Sequence, residues 1–500
     1  MKTNRKITNQ GEKYNRRNFL KKTASTAIAA PWIMRFPDIY ARTNEKRNII
    51  FILSDDHRYD AMSCLNHPIA QTPNMDRLVR DGIHFKNAFV TTSLCSPSRA
   101  SILTGLYAHK HGVLDNITLI PKGTLTFPVE LSRAGYRTGF VGKWHMGGSN
   151  DNPRPGFDRW VSLRGQGQWF NPLFNIDGIR QKPDGYVSDL VTEFSLDFVK
   201  KNKDRPFFLY MSHKAVHENF TPAPRHKDEF KYVTMPRPIT FPDTDENYQD
   251  KPEWVRKQRK SCHGIDGLSY THNIDFDGFN RRYAQCLLGL DESIGALTEL
   301  LDKEGLLEDT FIVYMGDNGF QFGEHGLIDK RVMYEESIRV PFFVHCPTLT
   351  SGGRVVEEMV LNIDIAPTLI DVAGVPVPSS IHGHSFLPLI KGMGVDWRKD
   401  FLYEYFWERA YPMTPTIRGI RTEKYSYIKS YGTWDKYELY DVENDPYQTK
   451  NLLGDVSPPK SGGTPEGIIS DPELKKLVNG FEERISQIIQ ETEGNLKPQW

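Results

Sequence analysis

The chain has 500 residues, enough for a large core, and its 63 basic and 63 acidic residues cancel to a formal net charge of zero. That balance excludes a polyanion-coating surface of the kind a nucleic-acid binder carries, so an anionic substrate has to be met by a local cluster of cations. Past the N-terminal region no stretch approaches about 18 consecutive apolar residues, so no membrane span is expected.

At the N-terminus, NRRNFLKK (Asn15 to Lys22) precedes the modest apolar run TASTAIAAPWIM, the order of an export signal with a twin-arginine address. The expectation is a signal region over 1–45 that engages the export machinery, which on this route carries proteins already folded. The location expected is periplasmic, with the cell surface or secretion as alternatives.

Apolar runs rich in β-branched and aromatic residues then recur: NIIFILSDD (48–56), YRTGFVGKWH (136–145), PFFLYMSH (206–213), TFIVYMGDNG (310–319) and VPFFVHC (340–346). They are continuous rather than alternating, which fits strands covered on both faces, hence a largely parallel sheet between helices. Helical patterns fall between them at 75–82, closed by Gly82, at 127–136, and over the long stretch 279–306. Residues 146–185 and 214–275, rich in Pro, Gly, Asp and aromatics, look like excursions from the sheet. Near 385 the texture changes. DFLYEYFW, IRGIRTEKYSYIKS and YELYDVENDP alternate more closely and are separated by turn residues, as in an antiparallel sheet, and a helical pattern starting at Asp471 ends the chain. The expected fold is α/β, with a main domain over 46–384 and a small C-terminal α+β subdomain over 385–500. SPPKSGGTPEG (457–467) reads as a loop.

Four of the apolar runs end in polar clusters: Asp55-Asp56, Lys143-Trp144-His145, His213, and Asp317-Asn318. In open parallel sheets ligands sit beyond the carboxyl ends of the strands, so these clusters are expected to face one crevice. Asp55, Asp56, Asp317 and Asn318 form a hard-oxygen set suited to Ca²⁺ or Mg²⁺; helix capping and Asx turns are the competing explanation for strand-end aspartates. Lys143, His145, His213 and Lys330 add cations and proton-transfer groups able to hold a tetrahedral oxyanion ester and protonate its leaving oxygen.

The five cysteines, Cys64, Cys95, Cys262, Cys286 and Cys346, are odd in number and lack metal-type spacing. Cys95 stands out. In TTSLCSPSRAS it precedes Pro97 and a helical pattern, beside a helix N-terminus that favours an anion. A thiolate nucleophile is one reading. The thiol-phosphatase pattern, however, puts its arginine six positions after the cysteine, where this chain has Ser101, with Arg99 at plus four.

Cys95-Ser-Pro-Ser-Arg99 followed by ASILTG resembles the signature of the type I sulfatases, whose cysteine is converted to formylglycine. SDDHRYD, GKWHMG, SHKAVH, GDNGFQFGEHG and LIDKRVMYEES support the resemblance, which runs from about residue 47 to YELYDVENDPYQTKNL. It implies an alkaline-phosphatase-like core and one Ca²⁺ held by Asp55, Asp56, Asp317, Asn318 and the modified Cys95. It also implies a maturation enzyme, either formylglycine-generating or anaerobic. In such enzymes one hydroxyl of the hydrated aldehyde attacks sulfur to give a covalent sulfo-enzyme, and the second releases sulfate. By the same resemblance Arg99 and Lys143 hold the modified residue, His145 deprotonates the diol, and His213 and Lys330 bind sulfate and assist the leaving alcohol. His217 is left outside the set, because Val216 stands before it where many members carry proline.

SHKAVH and LIDKRVMYEES look like the bacterial carbohydrate sulfatases, so the expected substrate is a sulfated polysaccharide or its oligosaccharides. Ulvan-type algal material leads, and N-acetylglucosamine, glycosaminoglycan or mucin sulfates are the alternative. WVSLRGQGQWFNPLFN (160–175) mixes rings with Arg and Gln as a sugar-binding wall would, or else packs its aromatics on the core. A phosphodiester or phosphonate hydrolase of the same superfamily is a competing reading, yet an extra His-Asp pair for a second ion is not seen near GDNGFQFGEHG. A non-catalytic carbohydrate-binding relative would show gaps in the catalytic set, and every expected position is filled.

Overall fold

The computed structural model describes residues 46–267, 275–350, 352–432, 436–454, 456 and 469–495. The signal region expected over 1–45 and the loop expected over 457–467 lie outside them. The principal elements begin with β1 (Asn48–Ser54), α1 (Pro73–Asp81), β2 (Ile83–Phe85), α2 (Cys95–Thr104), α3 (Phe127–Arg133) and β3 (Arg137–Lys143). Next come β4 (Arg159–Leu163), β5 (Phe174–Ile176), β6 (Ile179–Gln181), α4 (Val187–Asn202) and β7 (Phe207–Ser212). They are followed by α5 (Phe276–Lys303), β8 (Thr310–Gly316), β9 (Phe342–His345), β10 (Arg354–Val356) and α6 (Ile365–Val372). The C-terminal part holds β11 (Asp400–Tyr405), β12 (Thr416–Thr422), β13 (Tyr425–Tyr431), β14 (Glu438–Asp441) and α7 (Pro472–Glu491).

A ten-stranded sheet runs in the order β10-β2-β9-β8-β1-β7-β3-β4-β5-β6. Its centre is parallel: β1 lies between β7 and β8, with Ile50 opposite Leu209 and Ile52 opposite Tyr314, and β3 lies between β7 and β4. The continuous apolar runs are explained by burial on both sides. Ile50 and Ile52 pack in a layer with Met75 and Leu78 of α1 and Leu287 and Leu290 of α5, while Ile49, Phe51 and Leu53 pack with Ile102 of α2, Leu131 of α3 and Leu369 of α6.

One strand departs from the parallel expectation. VPFFVHC supplies β9, which runs antiparallel to β8 with Phe343 opposite Tyr314. A parallel return needs a long crossover, usually a helix, and the segment between β8 and β9 carries only a two-residue ribbon (Gln321–Phe322 with Ile328–Asp329), a 3-10 turn at Glu324–Gly326 and the four-residue helix Glu335–Ile338. The 160–175 stretch also differs from a free-standing sugar wall, because β4 joins the sheet and buries Trp160 against Phe140, with ring centroids 4.7 Å apart. The C-terminal strands form a separate antiparallel sheet, β11-β12-β13-β14, against which α7 stacks Phe481 on Tyr427.

Candidate active site

Asp55 and Asp56 follow β1 at once, and Asp317 and Asn318 follow β8. Because these strands are parallel neighbours, the two pairs meet: the Asp317 amide donates to Ser54 O at 2.9 Å and the Asp56 amide to Asp317 Oδ1 at 3.1 Å. Asp55, Asp56 and Asp317, all fully buried, each offer an oxygen within 4.8 Å of the others. Asn318 donates through Nδ2 to Asp56 Oδ1 at 2.6 Å and Gly319 O at 2.8 Å, which leaves its buried Oδ1 without a partner among the described residues. Three converging carboxylates and an orphan amide oxygen fit a hard divalent cation such as Ca²⁺. The carboxylates feel the crowding. Burial, then the Asp55 charge, pushes Asp317 up to about 7. Burial also raises Asp56 against the pull of Lys330. Asp55 would be raised by burial too, but Lys143, His217, Arg99 and Lys330 together hold it well below the usual carboxylate range.

Cys95 is the first residue of α2, fully buried, with Sγ 3.6 Å from Asp55 Oδ1. The helix start is held from outside, where Asn116 Oδ1 accepts the Ser96 amide at 3.0 Å, and Gly105 closes the helix in a left-handed conformation at φ 70°. Burial raises the thiol above its ordinary value and outweighs Lys330 and Lys143. A protonated thiol does not fit the thiolate-nucleophile reading. One turn along, Arg99 ties three strand ends together. Its Nε donates to Asp317 at 2.9 Å, and its Nη1 donates to Lys143 O at 2.6 Å and Ser212 Oγ at 2.8 Å. All five cysteines are free thiols.

Lys143 pairs with Asp55, and Lys330 Nζ reaches both oxygens of Asp56 at 2.6 Å. His145 sits with Nδ1 3.4 Å from Ser96 Oγ, and burial followed by Lys143 keeps its imidazole neutral. The structure therefore brings Asp55, Asp56, Cys95, Arg99, Lys143, His145, Asp317, Asn318 and Lys330 together.

His213 does not join them. Its amide continues the β1–β7 pairing to Leu53 O at 2.8 Å, its Nε2 lies 3.3 Å from Ser293 Oγ on α5, and burial alone lowers it to about 3 with no charged neighbour acting on it. The second histidine of SHKAVH takes the place expected for the first. Asp55 N donates to Ala215 O at 2.9 Å and Val216 N to Asp55 O at 2.7 Å, and this pairing turns His217 toward Asp56, Nε2 to Oδ2 3.9 Å. His217, Asp55 and Cys95 also offer atoms within 4.8 Å of one another. Burial, then Lys143, keeps His217 neutral.

His145 opens onto a cleft of about 410 Å³ lined by Asn116, Gln166, Glu408, Arg409 and Tyr411 among others. The last three come from the loop between β11 and β12. Tyr411 packs against protein, with the Arg331 guanidinium 3.9 Å from its ring centroid and the His263 ring 4.4 Å away. Of the expected sugar wall, Gln166 and Gly165 line this cleft. Nothing in the sequence singled out Asn116 or the 408–411 loop.

Residues 47–375 match the family described as Sulfatase, and residues 323–460 match the N-sulphoglucosamine sulphohydrolase C-terminal region. The chain belongs to the sulfatase family. The N-acetylglucosamine-6-O-sulfatase of Bacteroides thetaiotaomicron is 34% identical to it over 470 residues, covering 82% of this chain and 83% of that one. The ulvan-active sulfatase of Formosa agariphila is 29% identical over 424 residues, covering 82% and 77%. The solved structure of BT4656 in complex with its substrate D-glucosamine-2-N,6-O-disulfate is similar with a TM-score of 0.77 at 32% identity, covering 90% of this chain and 98% of that one. The resemblance carried by Cys95-Ser-Pro-Ser-Arg99 and the alkaline-phosphatase-like α/β fold are thus both borne out, and the protein is a sulfuric ester hydrolase. Among the described residues, no helix is long and apolar enough to cross a membrane.

Proposed function

We propose that this sulfatase removes sulfate esters from a sulfated carbohydrate, with the 6-O-sulfate of a glucosamine-type sugar as the leading substrate. The observation that carries the reading is Cys95 buried against three converging carboxylates, with Lys143 and Lys330 paired to two of them, while His145 of the same cluster lines a cleft with Asn116, Gln166, Glu408, Arg409 and Tyr411. The amides of Asn116 and Gln166, the Glu408 carboxylate and the Arg409 guanidinium suit sugar hydroxyls. The N-acetylglucosamine-6-O-sulfatase relative and the BT4656 complex favour an amino-sugar sulfate; the ulvan-active relative supports an algal polysaccharide as the second reading.

Asp55, Asp56, Asp317 and Asn318 Oδ1 would hold Ca²⁺, which supplies charge to stabilise sulfate oxygens. Conversion of Cys95 to formylglycine supplies the paired hydroxyls that a thiol lacks. Neutral His145 is able to take a proton from the side chain at position 95, since burial and Lys143 keep its acceptor nitrogen free. Lys143 and Lys330 offer ammonium groups to the sulfate oxygens, and His217 stands on the Asp56 side, placed to hydrogen-bond the departing alcohol oxygen. Arg99 keeps the ends of β3, β7 and β8 in register around them. Arg16-Arg17 and the apolar run after them support export in the folded state, and a maturation enzyme is the partner that position 95 requires.

Matured enzyme is to be tested on N-acetylglucosamine-6-sulfate, defined glycosaminoglycan and ulvan oligosaccharides, an aryl sulfate, and phosphate and phosphonate monoesters, with free sulfate or phosphate as readout. Release from the amino sugar ahead of the others is expected. Activity confined to aryl sulfates would remove the carbohydrate reading, and faster phosphonate or phosphate release would favour the other hydrolase class.

A further inference from the structure

Three buried cations at the strand ends are matched one to one by the three carboxylates: Arg99 with Asp317 at 2.9 Å, Lys143 with Asp55, and Lys330 with Asp56 at 2.6 Å. Lys214 is a fourth, and none of these three carboxylates is left for it; the other acid nearby, Glu218, is pushed up to about 8 by burial and so holds its proton at neutral pH. The residue is 4 % exposed, and its ammonium makes no ion pair or hydrogen bond among the described residues. It lies against the face of Trp169, 5.1 Å from the ring centroid. The backbone fixes it beside the reaction centre, because the next residue, Ala215, accepts the Asp55 amide. Burial lowers the ammonium to about 8, with the titratable neighbours being Lys143, Asp55, Asp56 and Glu218, so it still carries its proton at neutral pH.

A buried ammonium near a second cation is an unfavourable arrangement until an anion arrives. Trp169 offsets part of that cost through its ring. The anion that enters this site is the sulfate group of the substrate, and a charged donor with no standing partner can bind it without first giving up an ion pair. We propose that Lys214 is a fourth cationic contact for the sulfate ester, approaching from the Trp169 side. This rests on the sulfatase reading and adds a residue to it.

The test compares the full matured enzyme with Lys214→Met, which keeps the length of the side chain and removes its charge, and with Lys214→Arg. Inorganic sulfate is the probe, measured by calorimetry and by its protection against thermal unfolding, alongside kcat/KM on a sulfated sugar. Loss of one charged hydrogen bond predicts sulfate binding weaker by about 10- to 100-fold in Lys214→Met. The melting temperature without sulfate is expected to stay level or rise, because an unmatched buried charge has gone, and Lys214→Arg is expected to recover most of the affinity. Sulfate affinity within twofold of the parent in Lys214→Met overturns the proposal, whether or not the melting temperature falls. Lys214→Gln, which keeps a polar group over Trp169, serves the same comparison if the methionine variant does not fold. A parent enzyme that binds inorganic sulfate but releases none from sulfated sugars would refute the substrate reading while Lys214 is still decided by the affinity comparison.

Discussion

Removing divalent ions and returning Ca²⁺ at different pH values tests the three-carboxylate cradle most directly. In the metal-free chain Asp317 titrates near 7 rather than at its ordinary 3.8. Burial and the Asp55 charge thus work against the ionised form in the absence of metal. The sign follows from which state holds the proton: folded Asp317 binds it more tightly than the unfolded chain does. Its contribution to metal-free stability is therefore complete below about pH 4 and is lost as pH rises through about 7. Ca²⁺ has to displace that proton, so its affinity should tighten about tenfold per pH unit well below about pH 7 and level off above. From pH 5 to 7 that is about 50-fold, or about 2.3 kcal/mol, because the carboxyl is half ionised at the upper end. Asp56 is raised by burial too and acts in the same direction, whereas burial and then Lys143 hold His145 and His217 neutral. Isothermal titration of chelated protein with CaCl₂ at pH 5.5, 6.5 and 7.5, in two buffers of different ionisation heat, reads both affinity and protons released. A dissociation constant that does not change across this range, or binding without proton release at pH 5.5, would refute the reasoning.

Other substitutions separate the roles assigned above. Cys95→Ala should abolish sulfate release while costing the fold only about 1–2 kcal/mol, as a small buried truncation does, and denaturant unfolding beside an activity assay checks both halves. His217→Ala should lower kcat/KM by about 10²–10⁴-fold, whereas His213→Asn should act mainly on stability; equal kinetic losses in the two would overturn their separation. Arg99→Lys cannot reach Asp317, Lys143 O and Ser212 Oγ together, so a loss of about 3–5 kcal/mol in stability is expected, seen as a lower urea midpoint, with activity falling alongside it.

Much of this site could be read before the fold was seen, because parallel strands deliver their C-terminal residues to one edge. Asp55-Asp56 and Asp317-Asn318 lie at the ends of adjacent strands whose apolar runs are continuous, and that rule was enough to bring them together. The same rule failed for His213. It treats the last residue of a run as the one that faces the crevice, but β7 keeps pairing with β1 through His213, whose ring then points at Ser293 on α5. The crevice is reached four residues later, where Ala215 and Val216 lock onto the Asp55 backbone. Tertiary pairing of that kind has no local signature. Nor has the loop that carries Glu408, Arg409 and Tyr411, because it belongs to the antiparallel sheet and reaches the cleft only through packing. Trp160 was ambiguous for a different reason: a strand rich in aromatics and a sugar platform use the same residue types, and burial against Phe140 decides between them.

The burial of Cys95 also bears on when the proposed maturation would take place. Its side chain is fully buried, Sγ lies against Asp55, and the first turn of α2 is held by Asn116 and by Arg99 reaching to three strands. A modifying enzyme could not grip residues 95–99 in this state without separating β3, β7 and β8, the centre of the sheet. Conversion at position 95 is therefore easiest on the extended chain, where Cys95, Pro97 and Arg99 are all presented. On the proposed twin-arginine route, which carries proteins already folded, the proposed modification would come first, then folding around the carboxylates, then export. The short motif answers to both demands. In the unfolded chain it would serve as a linear recognition sequence for the proposed maturation enzyme, and in the folded chain Pro97 and Arg99 are part of the helix and the strand clamp that hold position 95 beside Asp55.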